Sequence, residues 1–191
     1  EEYNLRIRGS AMSEELAETN QSKTKILVGG SIAAVLAIGI IGFIVFSAVC
    51  PCERTPGGIL FGESYSEPVS DWSFANQVPL CQLQIYAGIR PHSINLNCMT
   101  TPEGEMYLSC SFCDTKYWAS KVGEDETGVM RLDGTTYPVH VNRITDPTTM
   151  DRAWAARVAK LQNFAAPDNP APEPDAQRPD RWWTFQITSR S

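Results

Sequence analysis

The sequence predicts a mainly β chain with helical additions, a small antiparallel barrel preceded by one transmembrane helix. Three observations carry that expectation. Short runs of alternating apolar and polar residues recur between turn signals. One strong helical pattern near the C-terminus is followed by a proline-rich crossover and a last strand pattern. Upstream, Ile26 to Val49 contains no charged residue at all.

That apolar run comes first in the chain. As a helix rising about 1.5 Å per residue it spans about 36 Å, enough for the roughly 30 Å apolar core of a bilayer. It exceeds an ordinary signal-peptide core, and no small-x-small cleavage site follows it. In "FSAVC" the large Val49 stands where a lipoprotein site wants a small residue. A retained single-pass anchor is the expectation, in contact with membrane lipid through residues 26–49. Lys23 and Lys25 precede the run, while Glu53 and Arg54 cancel after it. The positive-inside tendency therefore places residues 1–25, a polar and flexible segment, in the cytoplasm. Residues 50–191 then lie in the periplasm of a bacterium, on the inner membrane. Met12 reads as a natural start, so residues 1–11 carry no functional weight. Gly29, Ala33 and Ala37 form a small-residue ridge suited to close helix packing, although such residues are also common in membrane helices.

The outer part is acidic, with 12 Lys and Arg against 17 Asp and Glu, a net of −5. No basic stripe is present, which excludes nucleic acid as a natural partner and an anionic lipid surface as a docking face.

Its strands are legible in order. "LCQLQIY" alternates Cys81, Leu83 and Ile85 with Gln82 and Gln84, and "SINLNCM" alternates Ile94, Leu96 and Cys98 with asparagines. "EMYLSC" puts Met106, Leu108 and Cys110 on one face, with Tyr107 and Ser109 opposite. "TPEG" between these last two reads as a hairpin turn. With Pro102–Gly104 as the turn, Cys98 faces Leu108. "GVMRLDGTTYPVHVNRI" is a second hairpin closing at Asp133-Gly134, which pairs Leu132 with Thr135 and Met130 with Tyr137. "DWSF" seats Trp72 and Phe74 in the core.

The helix is "DPTTMDRAWAARVAKLQ". Asp146 caps it, Pro147 suits its first turn, and Met150, Trp154, Val158 and Leu161 recur at helical spacing. A proline-rich arm over 164–180 should run extended, its 167–179 stretch free to dock a partner. "WWTFQITS" then returns Trp183, Phe185 and Ile187 to the core.

"GEMYLSCSFCDTKYWASKVGEDETGVMRLDGTTYPVHVNRITD" resembles the split β-barrel superfamily, which includes pyridoxamine-phosphate-oxidase-like, FMN-binding proteins and deazaflavin-dependent nitroreductases. The shared run is a strand reaching a loop, a short "K-x-W" helix, an acidic turn and a strand with "G-x-x-Y-x-V". The resemblance covers residues 55–190. It implies a split β-barrel, a homodimer, and FMN or a deazaflavin in a groove between barrel and partner. It also implies that Ser109, Ser111, Thr115, Lys116 and Lys121 help hold the cofactor phosphate, beside amides opened by a helix at Asp114. Asp114 adds an anion to that mouth, and the loop lacks an arginine, which argues for an empty site.

The cysteines divide by strand phase. Cys81, Cys98 and Cys110 fall on aliphatic faces, where a free thiol packs as a small hydrophobe. Cys98 and Cys110 become diagonal neighbours roughly 7–8 Å apart, too far for an unstrained bridge. Cys50 and Cys52 seldom bridge each other; a pairing of either with Cys113, or an acyl chain on Cys50, stays open. "CPC" and "CSFC" lack the spacing of a zinc or iron–sulfur site. In Cys110-x-x-Cys113 the first Cys points inward and Asp114 disfavours a thiolate. The spacing therefore reads as a strand ending where a helix begins. His92 and His140 have no carboxylate at an orienting spacing, and "RPHS" at residues 90–93 reads as a ligand contact or an ordinary turn. No catalytic triad, phosphate loop or paired carboxylates emerge.

Two functions remain. One is an accessory or interaction subunit beside integral-membrane partners in a larger complex, respiratory or photosynthetic by expectation. The other is a membrane-tethered flavin- or deazaflavin-dependent oxidoreductase. The first accounts for the anchor, the altered loop and the missing catalytic groups.

Overall fold

The computed structural model describes residues 28, 30–45, 51, 55–88, 90–123 and 125–190. The expected segment 1–25, both ends of the expected 26–49 span, Gly29 of the small-residue ridge, and Cys50, Cys52, Glu53 and Arg54 lie outside them. Residues 30–45 form a helix, α1, whose described side chains are exposed on every face although they are almost all apolar. Among the described residues, no helix is long and apolar enough to cross a membrane. The chain divides after Val45 into two units, and the second, from Phe46 onward, is a barrel.

Seven strands build it: β1 Glu63–Ser64, β2 Cys81–Ala87, β3 Arg90–Thr100, β4 Met106–Cys110, β5 Glu126–Leu132, β6 Thr135–Ile144 and β7 Trp183–Ser189. They are ordered β1-β6-β5-β2-β3-β4-β7, and β7 also pairs with β6. Six antiparallel strands therefore close on themselves, while β1 adds in parallel to the start of β6.

The two hairpins form for the reasons expected. Asp133 (φ 45°) and Gly134 (φ 83°) both take positive φ, the requirement of the tight turn whose twist suits flanking strands. Leu132 pairs with Thr135 and Met130 with Tyr137. At the other hairpin, Gly104 (φ 82°) lets its N–H donate to the Thr101 carbonyl at 3.0 Å, and Cys98 faces Leu108.

Inward residues fill the barrel: Leu83, Ile85, Met106, Leu108, Met130, Val139, Val141, Phe185 and Ile187 are essentially inaccessible. Its two ends are closed by segments between strands. At one, a 3-10 turn over Ser73–Gln77 brings in Trp72 and Ala75, with Asn76 exchanging two hydrogen bonds with the Thr100 backbone. At the other, Trp118, Ala119 and Val122 drop from the loop after β4 into the core.

Helix α2 (Pro147–Phe164) is capped by Asp146, whose carboxylate accepts from the Thr149 N–H at 2.8 Å, with Pro147 in its first turn. It lies across the outer face of β3 and β4, where Met99, Tyr107 and Ala153 make a second apolar cluster. The arm that follows runs extended along α2. Trp154 Nε1 donates to the Ala176 carbonyl (2.7 Å), Gln162 to the Pro172 carbonyl (3.0 Å), and Arg178 to Asp151 (2.8 Å).

Two expectations are corrected. Cys110 is not a free core thiol, because Cys110 and Cys113 are joined in a disulfide, with Cα atoms 5.7 Å apart. Phe112 adopts a left-handed conformation (φ 52°) that folds the chain back as soon as β4 ends. The CxxC spacing is thus structural rather than coincidental, and Cys113 is not left for Cys50 or Cys52. The short helix expected from Asp114 is replaced by two three-residue 3-10 turns, Cys113–Thr115 and Ala119–Lys121.

Candidate functional site

The loop from Ser109 to Val122 is where the resemblance places a cofactor phosphate. Its apolar residues decide its shape. Cys113, Trp118, Ala119 and Val122 are buried, and the Trp118 ring stands 5.0 Å from that of Phe185. Anchoring so many side chains inward leaves the polar ones outside or spent on the loop itself. Thr115 is exposed, and its hydroxyl donates to the Phe112 carbonyl at 2.8 Å. Lys116 is exposed, Ser111 is half-buried, and Lys121 is exposed with its ammonium 5.4 Å from the Tyr117 ring centre. Ser109 lies on the outer face of β4 beneath α2, where its hydroxyl accepts from Arg157 Nη1 at 3.0 Å. The loop also has no helix long enough to aim its amides at an anion.

Beside this loop, His92 is buried at the barrel mouth, its ring 5.5 Å from Tyr117 in an edge-on contact. Burial, with the Arg90 charge in second place, holds its pKa below the usual value. His140 has the carboxylate that sequence spacing did not supply: Asp125 Oδ1 lies 2.7 Å from its Nδ1. The Asp133-Gly134 hairpin sets Thr127 opposite His140 and so brings Asp125 alongside it diagonally.

Arg157 and Lys160, two cations buried on α2, were not among the expected site residues. Arg157 donates to Ser109 and, at 2.9 Å, to the Asn169 side chain, and its guanidinium sits 4.5 Å from the Trp182 ring centre. Burial alone lowers its pKa to about 10. Lys160 Nζ donates to the Ala75 carbonyl (2.8 Å), the Cys98 carbonyl (2.5 Å) and the Cys98 sulfur (3.7 Å). Among the described residues neither cation has an ion pair with a carboxylate. Their signal was present in the sequence, since 153, 157 and 160 interleave with the stripe 154, 158 and 161.

Lys160 reaches a thiol pair. Cys81 faces Leu96 across β2 and β3, its thiol donating to the Leu96 carbonyl at 3.6 Å, so Cys98, two residues on, is its diagonal neighbour. Burial, together with the neighbouring Cys98, pushes the Cys81 thiol well up. Burial opposes ionisation of Cys98 as well, but the neighbouring Cys81 and the Lys160 charge outweigh it and hold Cys98 below the ordinary thiol value.

An open cleft of about 430 Å³ lies between α2 and the Ser73–Gln77 turn, lined by Asn76, Thr101, Pro102, Arg152 and Ala156 among others. Its one cation, Arg152, is paired with Glu105 at 3.0 Å. Among the described residues no group of three or more His, Cys, Asp or Glu side chains could hold a metal ion.

No protein-family model and no curated protein matches the sequence. Among solved structures the chain is similar to a pyridoxamine 5′-phosphate oxidase-like protein from Listeria innocua, at 10% identity and a TM-score of 0.42. The match covers 62% of this chain and 89% of that one. A likeness of that degree carries no argument about chemistry, which rests on the geometry above.

Proposed function

We propose that this chain is a single-pass, membrane-anchored protein whose periplasmic domain, of the split β-barrel type, is an accessory or interaction subunit of a larger membrane complex. The observation that carries the reading is α1. Its side chains are almost all apolar and are exposed all round, an arrangement stable in lipid but unfavourable in water. The apolar run continues from Ile26 to Val49, long enough to span. The loop at the barrel mouth supports a non-catalytic role. Thr115 is spent on the loop backbone, and Ser109 on Arg157 beneath α2. Integral-membrane partners or a second copy of the chain would meet the α1 ridge of Ala33 and Ala37, or the arm along α2.

The test is native electrophoresis of gently solubilised membranes with an absorbance scan. Migration in a large assembly, with the chain resisting alkaline extraction, is expected. A chain that migrates alone sinks the accessory role. Stoichiometric yellow absorbance lost on Lys116→Ala would replace it with the flavin or deazaflavin oxidoreductase.

A further inference from the structure

The pair Cys81 and Cys98 has a chemistry that neither the barrel core nor the proposed role requires. Both are free thiols, both are buried, and the register sets them as diagonal neighbours on the inner face of β2 and β3. A buried lysine 3.7 Å from one of the sulfurs is unusual company for two core hydrophobes. Lys160 is 5% exposed, and its other partners are neutral carbonyls. An ammonium taken out of water without an anion costs several kcal/mol, so the site is one negative charge short.

We infer that Cys81 and Cys98 form a two-coordinate site for a soft monovalent cation of the copper(I) class, with Lys160 as its fixed counter-charge. Zinc and other ions needing four donors find no set of three or more ligating side chains among the described residues. Thiolates select copper(I), which accepts two sulfur donors. Binding forms two metal–sulfur bonds, releases both thiol protons and leaves a bis-thiolate–metal unit of charge −1, which the Lys160 ammonium neutralises. No oxidant or reductant is consumed. The disulfide keeps Cys110 and Cys113 out of competition, since neither offers a thiolate. The closed ends of the barrel exclude water and competing thiols, so exchange is slow and a loaded ion is retained.

The test uses the full chain in detergent with Cys50 and Cys52 both changed to Ser, so that only Cys81 and Cys98 remain as thiols. Copper(I) is supplied with ascorbate, which leaves disulfides intact, and competed with a chromogenic copper(I) chelator. One copper per chain is expected, with two sulfur neighbours by X-ray absorption. Cys81→Ser and Cys98→Ser should each abolish retention. Lys160→Met should weaken it about a hundredfold, because the bis-thiolate is left uncompensated, and Lys160→Arg should restore much of the loss. A starting protein that surrenders all copper to the chelator overturns the inference, as does retention that survives either serine variant. Should a serine variant fail to fold, the coordination number of the starting protein decides: any environment other than two sulfurs overturns the site.

Discussion

Arg157 Nη1 donates to Ser109 Oγ across the seam where α2 crosses β4, and among the described residues no carboxylate shares that buried guanidinium. The contact fixes the helix to the barrel with a hydroxyl where an ion pair would be expected. Arg157→Ala should cost about 2–3 kcal/mol, through lost packing on Trp182 and an orphaned Ser109, while Asn169 keeps its bonds to Asn97. Ser109→Ala should cost about 1 kcal/mol, since the guanidinium keeps Asn169. Paired denaturant titrations check both values, and equal losses would mean that the hydroxyl, not the stacking, holds the seam.

Gly104 sits in the β3–β4 turn at a φ that side chains avoid, and a methyl there would lie 2.5 Å from Asp71 Oδ1. Asp71 is already held, accepting from the Ser73 N–H at 2.8 Å and from its hydroxyl at 2.5 Å. Gly104→Ala is expected to destabilise by about 2–3 kcal/mol, from strain and displacement together. Gly123, with open space around it, is the matched control. Thermal melts of the two alanine variants should differ by many degrees.

His92 gives the pH dependence its sign. Its folded pKa lies below the ordinary 6.5, so the unfolded chain takes up the proton first as pH falls. The neutral ring's contribution is complete above about pH 7 and is lost as pH drops through 6.5 towards the folded value. Asp71 and Asp146, held low by their hydrogen bonds to Ser73 and Thr149, contribute losses of the same sign only below about pH 4. Stability curves from pH 7.5 to 5 should therefore slope for the parent and flatten in His92→Gln.

The disulfide closes a very short loop, and chain entropy alone assigns it about 2 kcal/mol. Its two cysteines are buried, so reductant should act only after the barrel mouth opens. Reduced protein, or Cys110→Ser, should unfold at a lower denaturant midpoint with Trp118 more exposed to a fluorescence quencher. No change in either would show that Trp118 alone secures the plug.

Strands, registers and the capped helix were legible because each rests on local chemistry. Asp133-Gly134 fixed one hairpin, Gly104 the other, and Asp146-Pro147 the helix start. The barrel mouth was less legible because its shape depends on long-range burial. Trp118 meets Phe185, far along the chain, and that contact, not the polar residues, dictates the loop. Phe112 in a left-handed conformation carries no sequence signal, so the Cys110–Cys113 bridge was missed. Arg157 and Lys160 were missed because charged residues on a helix are ordinarily assigned to its solvent face.

Closure through β6 and β7 has a consequence for how the molecule is made. The last strand in chain order, Trp183–Ser189, supplies the partner for both β4 and β6. Until those residues are synthesised, the sheet has two raw edges and the Phe185 position is vacant. Biogenesis therefore includes an interval in which the nascent domain can pair with any strand it meets, and α2 with its arm is already available to shield β4 while it waits.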